Sequence, residues 1–217
     1  MKKLILIGAG DFGREIANVA ERINQNVNEA EWGILGYVDD DSSVQGAVVD
    51  GYPVLGTTEY LNTLTEEVWV ICSVGRASVR KRVLDKIHNP VIRFATLIDP
   101  DARIYKDSDV GEGSIICGGS ILAINTHIGN HVVVNLNCTI GHDAVIQDYC
   151  VVNPGVNVSG KVVVHSCSDL GTGSKVIQGL TVGTETTVGA GAVVIRDLPD
   201  HCVAVGMPAK PLQKGSK

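Results

Sequence analysis

The 217-residue chain carries a net charge of −6, which disfavours a nucleic-acid partner. Its length fits one large domain or two small ones, and no stretch is long and apolar enough to span a membrane. Aromatic residues make up only 4% while glycines number 25, a balance that suits short flat sides joined by tight corners. Met1-Lys2-Lys3-Leu4-Ile5-Leu6-Ile7 resembles the start of a signal peptide, but Gly8-Ala9-Gly10-Asp11 cuts the apolar run and no cleavage pattern follows. The six cysteines, Cys72, Cys117, Cys138, Cys150, Cys167 and Cys202, show no CxxC spacing and read as reduced thiols of a cytoplasmic protein.

In chain order, Lys2–Ile7 reads as a buried strand, and Gly8-Ala9-Gly10-Asp11-Phe12-Gly13 matches G-x-G-x-x-G. Arg14–Ile23 reads as a helix with Ile16, Ala17, Val19, Ala20 and Ile23 on one face. Ile34–Val38 is a second strand, ending in Asp39-Asp40-Asp41. This is a strand, glycine loop, helix and strand unit with acids at the second strand's end. Its glycines let the backbone approach a phosphate, the helix N-terminus supplies N–H groups, and the carboxylates can accept from a ribose or a base. Val68–Cys72 is another buried strand, followed by Ser73-Val74-Gly75 and a basic amphipathic helix over Ala77–Ile87. About a hundred residues hold one mononucleotide half, so a single nucleotide or nucleotide-sugar fits better than a nicotinamide dinucleotide. A tight turn that binds nothing is the alternative.

From Ile104 to Val194 every sixth residue is Ile, Leu or Val, without a break. At 44% hydrophobic residues, sixteen consecutive hits in one frame have a probability on the order of 10⁻⁶. Period six belongs to a hexapeptide-repeat parallel β-helix, with eighteen residues per three-sided coil and about five coils. Counting the aliphatic as position one, position two is often glycine: Gly111, Gly129, Gly141, Gly171, Gly183 and Gly189. Position five is mostly small, with Val132, Val156, Val162 and Leu180 as exceptions. The aliphatics fill the axis at roughly 1.5–3 kcal/mol each, and position-five residues fill the corners. Cys138 and Cys150 sit at position five and read as core fillers, which argues against an acyl-cysteine. Positions two and four are expected to point outward. Val203–Pro211 is expected to leave the register and cap the coil.

His142 stands at position three, between Gly141 and Asp143. An exposed imidazole there can act as a base, with the carboxylate fixing its tautomer; a solvated turn histidine is the plain alternative. His127, His131, His142 and His165 fall in four different phases, and no two are eighteen apart. A three-histidine zinc site within one chain is therefore not expected.

Taken together the chain resembles the bacterial sugar acetyltransferases that include the UDP-4-amino-sugar N-acetyltransferases and the sialic acid O-acetyltransferase-like proteins. The resemblance covers nearly the whole chain. It is carried by Leu6–Glu15, Asn135–Asp143, Asn153–Gly160 and Val205–Lys210. It implies an α/β, Rossmann-like half-domain over 1–100 that binds a nucleotide-sugar. It implies a left-handed parallel β-helix acyltransferase domain with a C-terminal cap over 101–217. It implies a homotrimer with active sites between neighbouring prisms, and acetyl-CoA as co-substrate with no metal. In that frame the loop Gly8, Gly10, Asp11, Phe12 and Gly13 lies at phosphate, with Gly75 nearby and Asp39 and Asp40 near uracil or ribose. His142 matches the general base and Asp143 its support. Asn135 matches a substrate-contacting residue, and the Gly160 amide an oxyanion donor. Thr172, Gly189 and Ala190 fall where CoA is gripped. The chain departs from some members at Val151 and Phe12, where they carry histidine, and at Val164–Asp169, which lacks the glycine after the aliphatic. The alternatives are O-acetylation of a sugar hydroxyl such as that of sialic acid, and a non-catalytic or metal-binding hexapeptide protein. The fused sugar nucleotidyltransferases share the solenoid, but this N-terminal segment is too short and lacks their Gly-rich, Arg-containing loop.

Overall fold

The computed structural model describes residues 1–212. The chain forms two compact units, Met1–Pro100 and a second beginning at Asp101.

The first unit is built from β1 (Lys2–Ile7), α1 (Asp11–Gln25), β2 (Trp32–Val38), β3 (Val48–Val49), β4 (Tyr52–Gly56), β5 (Val68–Cys72), α2 (Ala77–Leu84) and β6 (Ile92–Phe94). The sheet order is β3-β4-β2-β1-β5-β6. β1 is central and parallel to both β2 and β5. Its Leu4, Ile5, Leu6 and Ile7 are all buried, as a strand covered on both faces requires. Helix α1 starts three residues before the expected Arg14, with Asp11, Phe12 and Gly13 already in its first turn. Gly13 is what permits this, because a Cβ there would run into the Gly8 carbonyl. The third glycine of the motif therefore serves helix–strand packing. Gly8 itself sits at φ +103°, a region glycine enters freely. Helix α2 ends at Leu84, short of the expected Ile87. The chain beyond it is taken over by Asn62, which bonds the Lys86 carbonyl and the His88 N–H.

In the second unit each strand from Arg103–Ile104 to Val193–Val194 is only two residues long, positions six and one of the repeat, as in Thr139–Ile140. Strands pair in parallel with those eighteen residues away, for example Thr139 with Asn157 and Ile140 with Val158. Three faces result. The first runs from Ile115–Ile116 to Val203–Val205, the second from Arg103–Ile104 to Val193–Val194, and the third from Asp109–Val110 to Thr181–Val182. Every position-one aliphatic from Ile116 to Val194 is at most 2% exposed. The prism is the left-handed parallel β-helix of the sequence reading.

Two details differ from that reading. Position four does not belong to a strand. It is the corner residue in the left-handed conformation, from Asp107 (φ 59°) through Asn125, His131, Asn137 and Asp143 to Gly191. Asn, Asp and Gly tolerate this geometry best. Position two lies against the next coil's backbone: a Cβ on Gly141 would stand 2.5 Å from the Ser159 carbonyl carbon.

Position five also does more than fill space. The Ser168 hydroxyl donates to the Gly183 carbonyl at 2.6 Å and accepts from the Thr186 N–H at 3.1 Å. Ser114 and Ser120 make the same pair of bonds to the coil that follows each of them. Ser168→Ala should therefore orphan a buried carbonyl and a buried N–H and destabilise the protein by about 1–3 kcal/mol. Chemical denaturation of the variant against wild type checks this.

The register breaks sooner than expected. Val182 pairs with Leu198 and Val188 with Ala204, so the spacing falls to sixteen just after Val194. Asp197 and Asp200 accept from the Thr181 and Thr184 N–H groups and make the shorter coil. Lys210–Pro211 then folds back antiparallel on Ala204-Val205 and covers the last edge.

Candidate active site

His142 follows the second-face strand Thr139–Ile140 and stands at the corner leading to the third face. Its ring is 55% exposed. Nδ1 lies 2.7 Å from Asp143 Oδ2. Asp143 Oδ1 accepts from the side-chain amide of Asn125, also at 2.7 Å. Asn125 is eighteen residues back, one coil along the same corner. Its amide, and next the imidazole of His142, hold the Asp143 carboxyl below the usual carboxylate range. A carboxylate on Nδ1 selects the tautomer with its proton there, leaving Nε2 as an acceptor.

Nε2 lies over Gly160, eighteen residues on. A Cβ built at Gly160 would stand 2.6 Å from Nε2. The Gly160 carbonyl accepts from Gly179, while among the described residues its N–H donates to no protein acceptor. One corner thus presents a ring acceptor beside a free backbone donor. Nearby, the Lys161 N–H bonds the His142 carbonyl at 2.8 Å.

Asn135, Thr172, Gly189 and Ala190 are elsewhere. They occupy the corner between the first and second faces, after the strands Val133–Val134, Asp169–Leu170 and Thr187–Val188. Thr172 accepts from Gly191, and a Cβ on Gly171 would meet the Ala190 backbone nitrogen at 2.6 Å. The Asn135 side-chain oxygen is taken by the Leu136 N–H at 2.7 Å. Within one chain these residues and His142 border opposite edges of the second face, so a single prism does not gather them.

In the first unit, a cavity of about 300 Å³ lies at the carboxyl end of β1. Gly8, Asp39, Asp40, Thr58, Val74, Arg82 and Lys86 contribute to its wall. Gly10, Asp11 and Phe12 open helix α1, and Gly75 lies in the loop after β5. Asp39 is already engaged, accepting from the Ala9 and Asp41 N–H groups, so it braces the glycine loop. Asp40 accepts from the Thr58 N–H and pairs with Lys86 at 2.7 Å, which lowers its carboxyl from the usual range. The sequence reading missed Arg82 and Lys86 as cavity cations; their signal was the basic face of the segment over Ala77–Ile87.

Cys138 and Cys150 are fully buried, and desolvation pushes the Cys138 thiol up. Val151 is buried as well. The other ring contacts are scattered: His127 with Asp109, His165 with Gln147, His201 with Glu185, and His131 stacked on Tyr149. Among the described residues no cluster of three or more His, Cys, Asp or Glu could hold a metal, and no helix is long and apolar enough to cross a membrane.

The PglD N-terminal domain family matches residues 3–87. The GDP-perosamine N-acetyltransferase of Escherichia coli O157:H7 is 28% identical over 214 residues, covering 96% of each chain. The acetyltransferase domain of PglB from Neisseria gonorrhoeae FA1090 superposes with a TM-score of 0.87 at 32% identity, covering 98% of this chain and all of that one. PerB from Caulobacter crescentus, in complex with CoA and GDP-perosamine, gives 0.87 at 27% identity with 98% of each chain covered. Similarity of this extent spans both units, and the chain belongs to the bacterial sugar N-acetyltransferases of the hexapeptide-repeat superfamily.

Proposed function

We propose that this acetyltransferase moves the acetyl group of acetyl-CoA onto the 4-amine of a nucleotide-linked amino sugar, with His142 as general base. The amine nitrogen attacks the thioester carbonyl carbon and a C–N bond forms. Nε2 of His142 takes the amine proton, and the Gly160 N–H stabilises the tetrahedral oxyanion. The C–S bond then breaks, the imidazolium returns the proton to the CoA thiolate, and the amide is complete. No acyl-enzyme forms, in keeping with the burial of Cys138 and Cys150.

The observation that carries this reading is the corner itself. Nδ1 is tied to Asp143, Nε2 is left as acceptor next to Gly160, and among the described residues the Gly160 N–H donates to no protein acceptor. The first-unit cavity would take the nucleotide, with Arg82 and Lys86 as cations for its phosphates and the glycine loop as backbone donor. Thr172, Gly189 and Ala190 would grip CoA. They lie across the second face from His142, which favours a site completed by the corner of a neighbouring prism, as in a homotrimer.

The relatives named for GDP-perosamine favour an amine acceptor over a sugar hydroxyl. The test is thiol release from acetyl-CoA with UDP-, GDP- and dTDP-linked 4-amino sugars. Release with one of them supports the proposal. Release only with sugar hydroxyls, or with none of these acceptors, defeats it.

A further inference from the structure

We propose that Asn125 is a positioning residue for the acetyl transfer, fixing Asp143 so that His142 keeps its proton on Nδ1 and its lone pair on Nε2. This inference rests on the reading of His142 as the base. Three observations argue for it. The Asn125 amide reaches Asp143 Oδ1 at 2.7 Å while the other carboxylate oxygen holds His142 at 2.7 Å, so the carboxylate is gripped on both sides. Without Asn125 the carboxylate could rotate about its own side chain and release the imidazole. Both corner residues are in the left-handed conformation, Asn125 at φ 55° and Asp143 at φ 60°. The coil repeat stacks them, so the contact is imposed by backbone register rather than by a flexible reach.

The third observation is the chemistry of the donor. The groups facing this carboxylate are the Asn125 amide, the His142 ring and, more distantly, the Lys161 ammonium. Asn125 stays neutral throughout, so it orients the carboxylate without competing with the imidazolium that forms when His142 takes the proton. An aspartate in its place would face Asp143 with like charge. The position is one coil away from the imidazole, so Asn125 acts through Asp143 and not on the acetyl group.

Glycine is free at φ 55°, so Asn125→Gly removes the amide with no backbone penalty. Asn125→Asp keeps the side-chain size and reverses the interaction. Both variants should lower kcat for CoA release by roughly 10-fold to 100-fold, by analogy with the outer partners that orient metal-bound histidines. KM for acetyl-CoA and for the amino-sugar nucleotide should stay unchanged. Nitrogen-labelled histidine NMR on the folded variants should show His142 losing its single Nδ1–H tautomer, which a merely structural role would not alter. Wild-type kcat and an unchanged tautomer in Asn125→Gly, with His142→Ala inactive, would overturn the inference and leave the base reading intact. Full activity in His142→Ala would overturn the base reading, whatever the tautomer shows.

Discussion

Gly160→Ala should remove most of the activity and almost none of the stability. The alanine methyl would occupy space 2.6 Å from Nε2 and 2.8 Å from Cε1 of His142. The imidazole is a half-exposed side chain and can swing aside, so the fold loses little, within about 0.5 kcal/mol. The ring cannot swing and still hold its place. A displacement of ~1 Å from the productive geometry costs on the order of 10² in rate. Gly141→Ala makes the contrast. There the obstacle is the backbone of Ser159 and Gly160, which cannot give, and the expected outcome is a loss of about 1–3 kcal/mol in stability. Parallel thermal melts and kcat measurements separate the two. Equal destabilisation by both substitutions would mean that the His142 ring is locked in place rather than free to move.

The architecture was readable because the period-six aliphatics are a long-range signal that no local propensity imitates. The buried run from Ile116 to Val194 follows it without exception. Much of the corner chemistry was less accessible. Position four carries Gly and Asn in several repeats, but Tyr149, Lys161 and Cys167 adopt the same positive φ, so residue type alone hides the pattern. Those three are held there by the coil on either side, not by their own preference.

Asn125 escaped notice for a related reason. It is eighteen residues from Asp143, and an amide at that spacing does not by itself mark a carboxylate partner. The same arithmetic separates Asn135, Thr172, Gly189 and Ala190 from His142, because their phases place them on another corner. Asp39 illustrates a different limit. An acid after a strand suggests a ligand, yet its two oxygens are spent on the Ala9 and Asp41 N–H groups. Which partner an acid takes depends on loop geometry that spacing does not encode.

The position-five serines show that small size and chemistry are separate constraints. Alanine at 144 or 192 holds the same repeat position as Ser168, and each is fully buried. Only the hydroxyl also bridges a carbonyl and an N–H of the next coil. A repeat can therefore look degenerate in sequence while some of its members carry hydrogen bonds that others lack.

The measurement closest to the centre of this account is kcat for CoA release by His142→Ala, with the amino-sugar nucleotide that wild type accepts. Loss of the proton acceptor should lower kcat by roughly 10²–10⁴. Both KM values should hold, since neither the first-unit cavity nor the far corner is touched. A variant that releases CoA at the wild-type rate would contradict the account, because among the described residues no other side chain at this corner offers a ring acceptor next to Gly160.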